Sequence, residues 1–255
     1  MKILAIIGSP RKKGNTYQFT KQFEEELNKI TKIKFEYLFL KDAKLKQCLG
    51  CYACIAKGKG FCPLKDDRDK ILKQMHSSGA IIFSSPVYAV NVPSLLKNFI
   101  DRIAYICHRP EFFNQDSLIL TSEGGIGHKD VHNYLDKILL SLGFKSILKA
   151  NASTPPVHPL PEQYKMKNEN VAKKAALEFY KKLIIKENTP NFKRLLIFNI
   201  QKALFSNINM KESFFADYKY YHKLEKKDYY VKANVNSLKS FLAKMLSKQI
   251  VKKIK

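Results

Sequence analysis

Over the first 186 residues of this chain, short apolar runs take turns with longer segments whose apolar side chains recur every three or four positions. That alternation leaves few ways to fold: parallel strands joined by helical crossovers, with helices on both faces of one sheet. Residues 2–7 (Lys-Ile-Leu-Ala-Ile-Ile) are almost continuously apolar, as a strand buried on both faces must be. Phe19, Phe23, Leu27 and Ile30 then mark the apolar stripe of a helix. Residues 33–40 alternate, with Ile33, Phe35, Tyr37 and Phe39 on one face and Lys34 and Glu36 on the other, the pattern of an edge strand.

Residues 80–84 form a second buried run, and Pro93 is expected in the first turn of a helix, where its missing N–H is of no consequence. Leu96, Phe99, Ile100 and Ile103 are that helix's stripe. Residues 117–121 read as a fourth strand, Val131, Leu135, Ile138 and Leu142 as the core face of the next helix, and residues 144–149 as an alternating edge strand. Ala172, Ala175, Phe179 and Leu183 complete the set with a fifth helix. With the alternating strands at the edges, the expected fold class is α/β: a flavodoxin-like, doubly wound, five-stranded parallel sheet of order 2-1-3-4-5.

The pattern lapses at Asn-Thr-Pro-Asn (188–191), which divides a domain of residues 1–186 from a basic, aromatic-rich and mainly helical extension, 187–255. The extension carries an apolar helical segment (195–205) and an aromatic stretch of Phe214, Phe215, Tyr218, Tyr220, Tyr221, Tyr229 and Tyr230. Its last helix sets Leu238, Phe241, Leu242, Met245 and Ile250 on one face. These apolar groups are expected to dock on the core or a second subunit rather than on a membrane.

Hydrophobic residues make up 45% of the chain, enough for a sizeable core and too many for global disorder. The longest apolar runs, 3–7 and 195–198, fall far short of the ~20 residues that span a bilayer. Ser-Pro-Arg-Lys-Lys follows the first run where a signal peptide would have its cleavage region, so a cytoplasmic protein without a transmembrane segment is expected. The formal net charge of +24 suits acidic partners. No nucleic-acid recognition motif accompanies it, so no specific nucleic-acid partner is expected.

Three loops gather at the strands' C-terminal edge, where open α/β sheets bind ligands. The first, Gly8-Ser9-Pro10-Arg11-Lys12-Lys13-Gly14-Asn15-Thr16, can aim backbone N–H groups, hydroxyls and Arg11 at a phosphate beside a helix N-terminus. It ends in no Gly-Lys-Ser/Thr and is not a Gly-x-Gly-x-x-Gly, which excludes both common nucleotide loops. The second, Ser84-Ser85-Pro86-Val87-Tyr88-Ala89-Val90-Asn91-Val92-Pro93, offers a rigid apolar wall to a planar ring. The third, Thr121-Ser122-Glu123-Gly124-Gly125-Ile126-Gly127, allows close backbone approach.

These loops, with Leu96-Lys97-Asn98-Phe99-Ile100-Asp101-Arg102 after the second, resemble the NADPH-dependent FMN reductase family of flavodoxin-like proteins over roughly residues 1–185. The resemblance implies that Ser9, Arg11, Gly14, Asn15 and Thr16 hold the FMN phosphate. It likewise implies that Pro86, Val87, Tyr88, Asn91, Thr121, Ser122, Gly124 and Gly125 surround the isoalloxazine. Two departures stand out. Ala89 replaces a bulkier residue, and Glu123 brings a carboxylate that would disfavour an anionic reduced flavin if it pointed inward.

Four of five cysteines lie together as Cys48-x2-Cys51-x2-Cys54-x7-Cys62-Pro63. The spacing suits thiolates on one metal centre, a 4Fe-4S cluster or zinc, and equally suits free thiols of redox or structural use. It resembles the iron–sulfur flavoproteins, which implies a 4Fe-4S cluster on these four; many FMN reductases resemble this loop too, with Asp66-Asp67 after it, and have no established cluster. Cys107 stands outside the group. His128 and His132, spaced i, i+4, have metal-capable spacing but no evident third ligand, so surface or capping roles are expected.

The expected function is therefore an FMN-dependent NAD(P)H oxidoreductase, with a pyridine nucleotide as co-substrate and no side chain required as nucleophile or base. If the cluster is present, a ferredoxin-like protein becomes the electron-transfer partner; a non-catalytic flavodoxin-like carrier is the alternative. The resemblance also implies a homodimer or homotetramer.

Overall fold

The computed structural model describes residues 1–254. Strand β1 (Lys2–Ile7) is the central piece: Ile3, Ala5 and Ile7 pack into the apolar layer on one side of the sheet, Leu4 and Ile6 into the layer on the other. After α1 (Asn15–Ile30), β2 (Lys34–Phe39) pairs parallel to β1, Lys2 opposite Lys34. A long segment holding the short α2 (Ala53–Ala56) leads to α3 (Arg68–His76) and β3 (Ala80–Pro86), which flanks β1 on its other side. Then follow α4 (Ser94–Arg102), α5 (Tyr105–His108), β4 (Asp116–Glu123), α6 (His128–Leu142), β5 (Ser146–Ser153) and α7 (Glu162–Leu183). The order is β2-β1-β3-β4-β5, all parallel, as the sequence pattern predicts.

Alternation along each strand sorts the core. Ile82, Leu118 and Leu120 join β1's first set beneath α1 and α7, while Ile81, Phe83 and Ile119 join the second beneath α3, α4 and α6. Several boundaries differ from expectation, among them those of β5 and α4. Strand β5 starts at Ser146 because Phe144 is buried in the core, stacked on Phe112 with ring centroids 5.0 Å apart, and it runs on to Ser153 through the small residues Ala150 and Ala152. Pro93 is the N-cap of α4, one position before the helix itself.

The extension forms α8 (Phe192–Phe205), α9 (Phe215–His222) and α10 (Ser237–Ile254). Its aromatic stretch packs on the segment around α5: the Tyr221 hydroxyl donates to the His108 carbonyl (2.7 Å), Tyr220 to the Pro110 carbonyl (2.9 Å), and Gln201 Nε2 to the Cys107 carbonyl (2.8 Å). Helix α10 leaves its expected apolar stripe uncovered by the core of its own chain. It lies on α8 through Ser240, Ala243, Ser247 and Val251, whose small side chains let the backbones approach, and its large apolar residues face away.

Candidate functional site

The β1–α1 turn is built around its own polar groups. The Arg11 N–H donates to Ser9 Oγ (3.1 Å), and the Gly14 N–H donates to the Arg11 carbonyl (3.2 Å). The first bond of α1 runs from Gln18 N–H to the Gly14 carbonyl, which leaves the N–H groups of Asn15, Thr16 and Tyr17 without an intrahelical acceptor. Gly14, the N-cap, supplies no side-chain cap among the described residues. An uncapped helix start with three orphan donors and an exposed Arg11 is a ready anion site.

Buried hydroxyls hold this helix start in place. Thr16 Oγ1 and Ser122 Oγ lie 2.7 Å apart and Thr20 Oγ1 and Ser84 Oγ 2.8 Å, tying α1 to β4 and β3. Gly8 is required for the fit, since a Cβ there would sit 2.9 Å from Leu96 Cβ on α4.

Beside it stands an apolar wall. Residues 88–91 close a tight turn in which Tyr88 and Asn91 exchange both backbone hydrogen bonds (2.8 and 2.9 Å), while Ala89 and Val90 take φ of 45° and 62°. A β-branched valine in that region costs about 1–3 kcal/mol, and such strain concentrates at ligand sites. The turn touches the β4–α6 loop at Gly127 (φ 110°), where a Cβ would meet Val87 Cγ1 at 3.0 Å and Val90 Cα at 3.1 Å. Three large apolar side chains are left in solvent on these two loops: Tyr88 (39% exposed), Val90 (49%) and Ile126 (85%). Sequence reasoning named Tyr88 alone. The signal for the others was their place in a loop, where an apolar side chain has no packing duty.

Of the predicted flavin-site residues, Arg11, Asn15, Tyr88, Asn91, Gly124 and Gly125 retain surface, Pro86 and Val87 form the base of the second loop, and Ser9, Thr16 and Ser122 lie buried beneath the turn. Thr121 differs: its fully buried hydroxyl donates to Asn151 Oδ1 (2.8 Å) and lies 2.8 Å from His132 Nε2. Glu123 does not lie free in the loop. Its carboxylate accepts from the His128 N–H (2.9 Å) and from Asn151 Nδ2 (3.0 Å), capping α6. Lys12 is engaged with Asp42 (2.7 Å).

His128 and His132 thus sit at the two ends of one network: His128 Nδ1 lies 2.5 Å from Glu123 Oε1, Glu123 accepts from Asn151, Asn151 accepts from Thr121, and the Thr121 hydroxyl reaches His132. Burial, with the His128 and Lys149 charges, lowers the His132 pKa from 6.5 to about 4. An unfolded chain takes up a proton near pH 6.5 that the folded one refuses, so stability falls as pH drops from 6.5 toward 4. The variant His132→Gln is expected to flatten that dependence, measured as urea midpoints across this range.

The cysteine segment forms a second concavity. Cys48, Cys51, Cys54 and Cys62 line one cavity of about 300 Å³ together with Tyr52 and Arg102. No disulfide joins cysteines among the described residues, and no three His, Cys, Asp or Glu side chains there converge on a point that could hold one ion. Three of the chain's five arginines clamp the segment. Arg68 Nη2 donates to the Lys59 carbonyl (3.1 Å). Arg109 donates to the Cys54 (2.6 Å) and Ile55 (3.0 Å) carbonyls. Arg102 grips both Asp66 oxygens (3.0 and 2.9 Å) and donates to Cys62 Sγ (3.1 Å). Asp217 of α9 pairs in turn with Arg109 and accepts from His108 Nδ1 (2.8 Å). Lysine, with one point charge and no planar fork, would not replace these contacts.

The thiols differ in consequence. Burial raises the pKa of Cys54, helped by Cys62 and Cys48 nearby. At Cys62 burial works in the same direction but is outweighed by the Arg102 hydrogen bond, the Leu64 backbone and the two arginine charges, so this thiol is more acidic than usual. Burial pushes Cys107 up to about 11.

The chain is similar to several known proteins. An iron-sulfur flavoprotein of Archaeoglobus fulgidus is 34% identical over 146 residues, 56% of this chain and 64% of that protein. One of Methanocaldococcus jannaschii is 44% identical over 104 residues, 40% of this chain and 51% of that protein. The chain thus spans between half and two thirds of the length of these curated relatives. Among solved structures, the NAD(P)H:quinone oxidoreductase from Methanothermobacter marburgensis superposes with a TM-score of 0.58 at 17% identity, over 70% of this chain and 96% of that one. The FMN-dependent NADH-azoreductase of Bacillus anthracis does so at 0.54 and 19%, over 70% and 99%. At such identities the likeness shows the fold. The NADPH-dependent FMN reductase profile matches residues 1–157, more than half of the sequence, and the chain belongs to that family.

Proposed function

We propose that this protein is an FMN-dependent NAD(P)H oxidoreductase. The observation that carries the reading is the juxtaposition just described: an uncapped helix N-terminus with Arg11 beside it, next to exposed Tyr88, Val90 and Ile126 on loops held together at Gly127. That pairing suits a ligand with a phosphate at one end and a flat apolar ring at the other. Bound FMN supplies hydride and electron chemistry. The Asn15, Thr16 and Tyr17 N–H groups and Arg11 would hold its phosphate. Tyr88 and Val90 would face the ring and exclude water, and the glycines at 124 and 125 would let it approach the backbone. The names of the relatives and neighbours support quinones or azo compounds as acceptors.

The test is NADH and NADPH oxidation with a soluble quinone after FMN loading. Steady turnover is expected; bound flavin without turnover would instead favour an electron carrier. Arg11→Glu is expected to weaken FMN binding about tenfold, by fluorescence quenching, because it reverses one charge at a helix N-terminus.

For the cysteine cavity we infer a 4Fe-4S cluster. In a four-iron cluster each cysteine binds its own iron, so the thiols must surround a volume rather than a point; four thiols around one cavity fit that better than zinc, whose ligands all lie about 2.3 Å from one ion. The names of the archaeal relatives support the same reading. A cluster supplies one-electron exchange, and an acidic ferredoxin-like protein is the partner class that the net charge of +24 would steer inward.

A further inference from the structure

Helix α10 packs with its small side chains and shows solvent its large ones. Ser240, Ala243, Ser247 and Val251 are buried against the neighbouring extension, while Leu238, Phe241, Leu242, Met245 and Leu246 are 37–67% exposed. At about 100° per residue these five occupy one arc of roughly 140°, centred opposite the buried four. The helix sequence contains no Asp or Glu. Lys239 borders the stripe on one side and Lys248 on the other, with Lys252 and Lys253 at its C-terminal end, all exposed, while Lys244 beside Lys248 is paired with Asp228 (2.9 Å).

Charge decides what covers this face. A second copy, related by a two-fold axis, would bring two lysine-bordered stripes together and set like charges side by side. Lysines flanking an apolar stripe suit a surface that is apolar within and negative at its boundary, because their stems can lie along the apolar zone while the ammonium groups reach outward. We propose that α10 docks this protein on an anionic lipid surface, with Leu238, Phe241, Leu242, Met245 and Leu246 at the headgroup–acyl boundary and the lysines on the lipid charges. Independent of the flavin reading, this reverses the sequence-based expectation that the stripe is covered by protein.

The chain has no tryptophan, so Phe241→Trp places a single reporter in the stripe. The full chain is mixed with vesicles of phosphatidylcholine alone, or with phosphatidylglycerol added, at about 0.15 M salt. Flotation with the anionic vesicles is expected to exceed that with neutral ones about tenfold, and Trp emission to shift blue only with the former. The double variant Phe241→Ser, Leu242→Ser keeps every charge and alters only exposed positions; it is expected to lose about tenfold in binding. Equal flotation with both vesicles, an unshifted emission, or binding that survives the double variant would overturn the proposal. So would a concentration-dependent dimer, seen by sedimentation, that the double variant abolishes, since a second copy would then cover the stripe.

Discussion

Replacing Arg102 by alanine is expected to lower the unfolding free energy by about 3–5 kcal/mol, the usual cost of leaving one buried charge without its partner. Arg102 and Asp66 side chains are each only 2% exposed; Nη2 of the guanidinium donates to both carboxylate oxygens, Nε donates to Oδ2 (3.3 Å), and Nη1 reaches Cys62. Alanine leaves the Asp66 carboxylate buried with backbone donors alone. Lysine would restore charge but not the fork, so Arg102→Lys should recover part of the loss. Urea denaturation measures this, and a change below about 1 kcal/mol would contradict it. Burial alone would raise the Asp66 pKa, but the Arg68 and Lys46 backbone N–H groups and Arg102 hold it lower than usual. A carboxyl more acidic when folded contributes fully above the ordinary carboxylate range and loses that contribution as pH falls through its folded value. The gap between wild type and Arg102→Ala should therefore narrow below about pH 4. In cluster-free protein the Cys62 thiol should become less acidic in the variant, seen as a shift in the pH dependence of alkylation.

Asp217→Ala is expected to cost a similar amount, about 3–5 kcal/mol, and to act at a distance in sequence. Asp217 is completely buried on α9, and its partner Arg109 holds the Cys54 and Ile55 carbonyls. Without the carboxylate the guanidinium is left as an uncompensated buried charge, and the cysteine segment loses its link to the extension. Asp217→Asn keeps the shape and the His108 contact and should fall between. Limited proteolysis near residues 48–62 and faster alkylation of Cys54 are the expected signs. Unchanged cleavage and thiol reactivity would show that the extension does not brace the cysteines.

Much of the architecture was legible because strands buried on both faces must be apolar throughout. Residues 2–7 and 80–84 announced themselves, and the alternation of 33–40 marked an edge. Helix α3 was harder to see, since only Ile71, Leu72 and Met75 among its nine residues are apolar and buried. The loops of the candidate site were readable from glycine, serine and proline, but their internal bonds were not: nothing in Thr121 or Glu123 distinguishes a ligand-facing side chain from one held by Asn151. The arginine clamps were invisible for the same reason, as Arg102 and Cys62 lie 40 positions apart. The α10 stripe was found in the sequence, but not that the helix packs on α8 through its small residues, because amphipathic periodicity reports that a helix has two faces and not which one is packed.

The most direct test of the account is an anaerobic absorption spectrum of the purified chain titrated with FMN, combined with iron and acid-labile sulfide analysis. The account predicts flavin bands that saturate at about one FMN per chain, with broad absorption near 400 nm and about four irons per flavin from the cysteine cavity. Failure to retain FMN under these conditions would contradict it.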